Sequence, residues 1–186
     1  TTALSLLIIT GKTDQGIKTL LKQSELTSYP VIDDEIRIFY NQNGIILNLP
    51  ESWLQNNDVS LGTAIKKINL CSHVCKVSGI IFCIDIKVLL SSNSAELQQC
   101  IDEQKALFNK YAASLPQALN LALLFTKLDL LAGFYDFFQN EHSVEIQKPL
   151  GFSLSKCAPN NKLPANFNQQ FDNFVETLSQ QVMQKV

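Results

Sequence analysis

The chain carries no surplus of positive charge. Lys and Arg number 15 against 17 Asp and Glu, a formal net charge of −2 over 186 residues. Nucleic-acid binding needs a clustered basic surface, so that class of partner is excluded. The most basic short stretch, Lys66-Lys67 followed by Lys76, reads as a solvated helix face. Also missing is any run of about 18 uninterrupted apolar residues, the length that crosses a bilayer. The domain itself is therefore not expected to span a membrane. No charged, apolar and small-residue leader opens the chain. Thr1-Thr2-Ala3 runs straight into an apolar segment, as in a domain cut from a longer protein. Charged residues make up 17% and apolar ones 46%, a balance that excludes disorder and supports a sizeable core.

An even, regularly spaced cysteine set is absent as well. The five cysteines, Cys71, Cys75, Cys83, Cys100 and Cys157, lie in apolar segments and read as free thiols in a reduced compartment. Cys71, His73 and Cys75 do not make a zinc site: on a helix the two cysteines share a face that His73 leaves, and no second ligand pair follows.

What is present is an alternation of strands and helices. Leu4 to Thr10 is a continuous apolar run, the pattern of a strand buried on both faces. A polar turn, Gly11 to Gln15, leads to a helical pattern from Gly16 to about Gln23. Glu35 to Tyr40 alternates like a half-exposed strand, Asn43-Gly44 suits a tight turn, and Gly44 to Leu49 returns as the antiparallel partner. Ser60 to Lys76 predicts an amphipathic helix, with Cys75 on its apolar stripe. Gly79 to Ile84 and Leu119 to Phe125 predict buried strands separated by a helix from Ala95 to Ser114, with Leu97, Ile101, Leu107 and Phe108 facing the core. A short helix over Leu130 to Phe138, a last strand over Leu150 to Leu154 and a closing helix over Phe167 to Val182 complete the series. The fold class is thus α/β: a mostly parallel sheet with one antiparallel edge hairpin and helices on both faces, in a single domain over residues 1–186. Such sheets bind ligands beyond the carboxyl ends of their strands.

Three strand ends carry candidate chemistry. After the first strand, Gly11 and Gly16 stand five apart, as in a phosphate-binding P-loop, where backbone N–H groups, a lysine and a hydroxyl grip phosphate and magnesium. Ile17 occupies the lysine position and Lys18 the hydroxyl position. Shifting the frame recovers the pair Lys18-Thr19 but loses both glycines. The same residues also suit an ordinary strand-to-helix turn. At the end of the hairpin stands Asn48-Leu49-Pro50-Glu51, where P-loop GTPases place Asp-x-x-Gly. Asn48 is neutral there, and Glu51 sets a carboxylate near the expected γ-phosphate, an unfavourable pair when partly desolvated. Opening a surface loop is the other reading of Pro50-Glu51. Thr126-Lys127-Leu128-Asp129 resembles the Asn/Thr-Lys-x-Asp element with which GTPases read guanine: the aspartate accepts two N–H bonds, the lysine stem packs along the base and the first residue braces the P-loop. Asp129 also suits a cap for a helix beginning at Leu130.

Thr126 to Phe138 (TKLDLLAGFYDFF), with Pro149-Leu150-Gly151-Phe152-Ser153 downstream, is similar to the IcmF/TssM family's TKxDLLxGFxEFF and W-G-F-T-F. Ser78 to Asp85 with Val88-Leu89-Leu90 resembles the family's NGxxxxxSxxDLL, and Asn48 falls where the family has Asp-Thr-Ala-Gly. The resemblance covers about Leu4 to Phe152, and the divergent loops look most like the Dot/Icm type IVB branch. It implies a P-loop GTPase-like (Ras-like) fold and an inner-membrane component of a type VI or type IVB secretion machine. This chain is then its cytoplasmic domain, at the cytoplasmic face of the bacterial inner membrane, with a DotU/TssL-type protein and other components of the complex as partners. Carried over by position, Gly11, Gly16, Lys18 and Thr19 are phosphate candidates and Thr126, Lys127 and Asp129 base candidates. The departures at Ile17, Asn48 and Glu51 imply a vestigial site with no cofactor, no metal and no catalytic residue, serving a docking scaffold. GTP or ATP with Mg²⁺ enters only in the alternatives: a slow GTPase or ATPase using Lys18 and Thr19, or a switch that binds nucleotide without turnover. Trp53, in the loop Glu51 to Asp58, reads either as an interface anchor or as a core residue, and Lys156 to Pro164 as a loop before the last helix.

Overall fold

A computed structural model describes residues 4–12, 16–32, 36–49, Glu51, 75–91, 93–113, 120–139, 150–154 and 163–185. The chain divides into two compact units, Thr1–Leu128 and Asp129–Val186.

In the first unit, the apolar run Leu4–Thr10 forms β1 and the short helix Ile17–Gln23 forms α1. Three strands follow, β2 (Thr27–Ile32), β3 (Ile36–Asn41) and β4 (Gly44–Asn48). After them come β5 (Cys75–Asp85), α2 (Ile86–Ser91), α3 (Ser94–Ala113) and β6 (Asn120–Thr126). Among the described residues the strands form one six-stranded sheet in the order β2-β3-β4-β1-β5-β6. β1 runs parallel to β4 and β5, and β5 parallel to β6, while β3 is antiparallel to both its neighbours. The expected α/β class, a mostly parallel sheet with an antiparallel hairpin, is the one observed. The antiparallel strand is not the edge, however, because β2 pairs outside it.

The period-2 alternation of the strands sorts side chains onto two faces. Leu6, Ile8, Ile36, Leu47, Leu49, Ile80 and Phe82 face one side, where α3 covers them with Leu107 and Phe108. Ile9, Phe39 and Cys83 face the other, where α1 contributes Ile17 and Leu21. Of the helical core positions expected on α3, Leu107 is buried, Phe108 packs edge-on against Phe82 with ring centres 6.2 Å apart, and Leu97 and Ile101 are half-buried. α3 starts on a capping box: Asn93 Oδ1 accepts from the N–H groups of Ala95 (3.1 Å) and Glu96 (3.0 Å), and Glu96 Oε2 accepts from the Asn93 N–H.

Several expectations are corrected. Cys75 and Lys76 open β5 instead of closing a helix, so Cys75 lies on no helical stripe. β5 also begins four residues before the expected Gly79. It carries a bulge, since Leu6 pairs with Val77 and Leu7 with Gly79, leaving Ser78 as the extra residue. Ser78 Oγ donates to the Leu6 carbonyl (3.2 Å), so the interruption keeps a polar partner. In the hairpin, Asn41 pairs with Gly44 and the two-residue turn is Gln42-Asn43; neither Asn43 nor Gly44 has positive φ. Gly44 is needed for a different reason: a Cβ there would sit 3.2 Å from the Ser5 carbonyl oxygen. β6, expected to be buried, leaves Leu121, Leu123 and Phe125 exposed on one face, while Leu124 packs on the other.

In the second unit a 3₁₀ turn, Leu128–Leu130, straddles its start, followed by α4 (Phe134–Phe138) and α5 (Leu163–Lys185). Gly133, at φ +79°, is the N-cap of α4, so Asp129 does not cap that helix. Leu150–Leu154 has no strand conformation. Phe152 instead contacts Phe167, Phe171 and Phe174 of α5, with ring centres 5.6, 6.4 and 5.7 Å away. Leu163 and Pro164 already belong to α5, where proline fits the first helical turn. Most of the expected helix Ser60 to Lys76, Trp53 with its loop to Asp58, Thr13 to Gln15, Cys71, His73, Cys157 and Pro149 lie outside the described residues.

Candidate functional site

After β1 the chain moves to one side of the sheet (β2, β3, β4), then crosses to β5 on the other side of β1. β1 is therefore the topological switch point, and the crevice beyond its carboxyl end is where an open α/β sheet takes ligands. β4, β5 and β6 end on the same side, since all run parallel to β1. Gly11-Lys12, Asn48 to Glu51, Asp85 and Thr126-Lys127 follow or close these four strands.

Gly16 adopts the left-handed conformation at φ +77° and starts α1. A Cβ built on it would lie 3.7 Å from Thr126 Cβ and 3.8 Å from Lys127 Cγ. The first-loop glycine and Thr126, 110 positions apart, are thus brought together. Thr126 Oγ1 also donates to the Ile84 carbonyl at 3.3 Å, tying the ends of β5 and β6.

Lys127 is one of two described non-glycine residues with positive φ (58°). Its Nζ donates to Asp85 Oδ2 at 2.5 Å, and Asp85 Oδ1 accepts from the Lys87 N–H at 2.9 Å. Asp85 is 6% exposed while the Lys127 side chain is 33% exposed, so the pair is buried on its acid side only. The Lys127 ammonium is thus held by a carboxylate of the chain.

Ile17, at the P-loop lysine position, is 9% exposed and packs with Ile9, Leu21, Phe39 and Cys83. That position is a core anchor for α1. Lys18 and Thr19 follow in the first turn of α1 and are exposed. Gly11 is buried. Asn48 ends β4 half-buried, paired with Ile9 and Arg37, and Glu51 is half-buried in the turn beyond. Asp129 belongs to the second unit and is exposed in the 3₁₀ turn.

Sequence reasoning missed three charged residues here. Lys12, directly after Gly11, forms an ion pair with Glu103 of α3. Partial burial pulls the Lys12 pKa down, but the hydrogen bond and charge of Glu103, with smaller pulls from Cys100 and Glu51, outweigh it and hold the value above the ordinary 10.5. On Glu103, hydrogen bonds from Lys12 and Gln99 and the Lys12 charge hold the carboxyl below the ordinary 4.5. Asp85 is the third; it stands inside the family-like segment ending β5, so its position was legible though its partner was not. Nothing in the sequence links Lys12 to a glutamate 91 positions away.

These residues do not fit a magnesium-bound triphosphate. Among the described residues, the P-loop lysine position is the apolar, buried Ile17, and the carboxylate expected after β4 is the neutral Asn48. The arrangement is a brace between strand ends rather than an open cationic cradle.

No curated protein matches the chain. Among solved structures it is similar to an ADP-ribosylation-factor-like GTP-binding protein, small COPII coat GTPase SAR1, from Encephalitozoon cuniculi in complex with GDP. That match has 10% identity and a TM-score of 0.30, covering 67% of this chain and 70% of that one, and no role is transferred from it. Residues 76–186, which include all but the first residue of β5, α3, the Thr126-Lys127-Leu128-Asp129 element and α5, match the family model of the IcmF-related N-terminal domain. Covering more than half of the sequence, that match places the chain in the IcmF-related family.

Proposed function

We propose that this chain is the cytoplasmic docking domain of an IcmF/TssM-like secretion-system component. In this reading it belongs to the Dot/Icm type IVB branch, lies at the cytoplasmic face of the bacterial inner membrane and stabilises the complex with a DotU/TssL-type partner. No helix among the described residues is long and apolar enough to cross a membrane. Family membership supports the secretion role. The observation that carries the docking reading over a nucleotide-driven one is the burial of Ile17: the position from which a P-loop lysine would reach phosphate instead anchors α1 to the sheet. A domain whose core uses that position gains order without ligand, as a constitutive scaffold requires.

A second reading, a slow GTPase or ATPase or a binding-only switch built on Lys18, Thr19 and the Thr126-Lys127-Leu128-Asp129 element, draws on one feature, the packing of Thr126 and Lys127 against Gly16. It makes partner binding depend on nucleotide. Calorimetric titration of the 186-residue chain with the cytoplasmic part of a DotU/TssL-type protein separates the two. Docking predicts a Kd below about 10 μM, roughly −7 kcal/mol, unchanged by GTP with Mg²⁺ or by Lys18→Ala. Absence of a complex, or one that forms only with nucleotide, would contradict it.

A further inference from the structure

The crevice beyond β1 has a cation that no motif assigns. Lys12 is the residue beside Gly11 at the switch point, where ligands enter sheets of this kind. Its side chain is 30% exposed, and its ammonium engages the exposed Glu103, which α3 brings over from 91 positions away. A second carboxylate, Glu51 beyond β4, adds a weaker attraction to the same ammonium. Glu103 is itself steadied by Gln99, whose Nε2 donates to its other carboxylate oxygen at 3.0 Å. The acid is thus aimed at Lys12 and held from its own helix.

We propose that the Glu103 carboxylate acts as a built-in anion on Lys12, so that a phosphate or polyphosphate reaches this cation only by displacing it. The proposal rests on the vestigial-site reading above and adds the means by which the crevice is kept closed to anions. A carboxylate and a phosphate oxygen present the same negative acceptor to an ammonium, and within one chain the carboxylate competes without an association cost. The charge of Glu51, felt weakly at the same ammonium, adds a smaller repulsion to an incoming anion.

The test is calorimetric titration of metal-free pyrophosphate into the 186-residue chain at low salt, for wild type, Glu103→Gln and Lys12→Gln/Glu103→Gln. Glu103 is exposed, and circular dichroism checks that each variant keeps its fold. Glu103→Gln is expected to bind at least tenfold more tightly than wild type, and the double variant to return to the wild-type level. Raising the salt should erase the gain, because only screened charge drives it. A gain below threefold in Glu103→Gln, or a gain the double variant keeps, overturns the proposal. Should Lys12→Gln/Glu103→Gln not fold, Lys12→Arg/Glu103→Gln replaces it, and pyrophosphate must still bind at least tenfold more tightly than to wild type. Partner titration is a separate measurement, so failure here leaves the docking reading standing, and failure there leaves this one.

Discussion

Asp85 shows what a single side chain contributes at the strand ends. Its carboxylate is nearly out of water and neutralises Lys127, whose left-handed backbone turns the chain out of β6. Removing it strands an ammonium that is one-third exposed. Asp85→Ala is therefore expected to cost about 1–3 kcal/mol, below the cost of breaking a fully buried pair, and Asp85→Asn less. Urea unfolding of the three proteins checks the order. Cys83 titrates in the opposite environment. Its side chain is enclosed by Ile9, Ile17 and Phe39, and burial pushes the thiol from 9.0 up to about 11. Between those values the unfolded chain has lost the proton that the folded chain keeps. This contribution to stability is whole below pH 9 and is lost as pH rises through about 11, a loss of roughly 3 kcal/mol. Lys12, held above 10.5, acts in the same direction at higher pH. Urea midpoints from pH 8 to 11 should fall more steeply for wild type than for Cys83→Ala; equal slopes would refute the assignment. At this scale the sequence was only partly legible. The substitution at Ile17 was visible, but not that the residue packs into the core, because a helix can turn that position inward or outward.

At the scale of elements, α3 is held to the sheet unevenly. Leu107 is 6% exposed within the cluster of Leu6, Ile8 and Phe82, whereas Leu97 near the start of the helix is half-buried. Leu107→Ala should destabilise by about 2–4 kcal/mol and Leu97→Ala by less than half as much, read as the shift in thermal unfolding. The same contrast explains which elements the sequence announced. β1 was legible because a continuous apolar run admits few alternatives to a buried strand, and β4 because the turn-favouring Asn43-Gly44 announced the return of a hairpin. β2 was missed: Thr27-Ser28-Tyr29-Pro30 has no apolar alternation, and Pro30 is tolerated because β2 is the sheet edge. β5 was begun too late because the bulge at Ser78 puts Val77 and Ile80, three apart, on one face and breaks the period of two. Leu150 to Leu154 has strand composition, yet strand conformation needs a neighbour to pair with, and Phe152 spends its burial on α5.

For the whole molecule, the strand order puts a topological switch point at the end of β1, and two lysines near it pair with acids of the chain. The position of the usual phosphate-binding lysine serves the core. That combination was half visible in the sequence: the departures at Ile17, Asn48 and Glu51 could be read off, while the compensating pairs join residues 42 and 91 positions apart and need the fold to bring them together. The vestigial-site proposal turns on whether the chain takes up nucleotide at all. The most direct measurement is calorimetric titration of the 186-residue chain with GTP, GDP and ATP in the presence of Mg²⁺. The account predicts no binding tighter than about 10 μM, roughly −7 kcal/mol, for any of the three. Tighter binding that Lys18→Ala abolishes would contradict it.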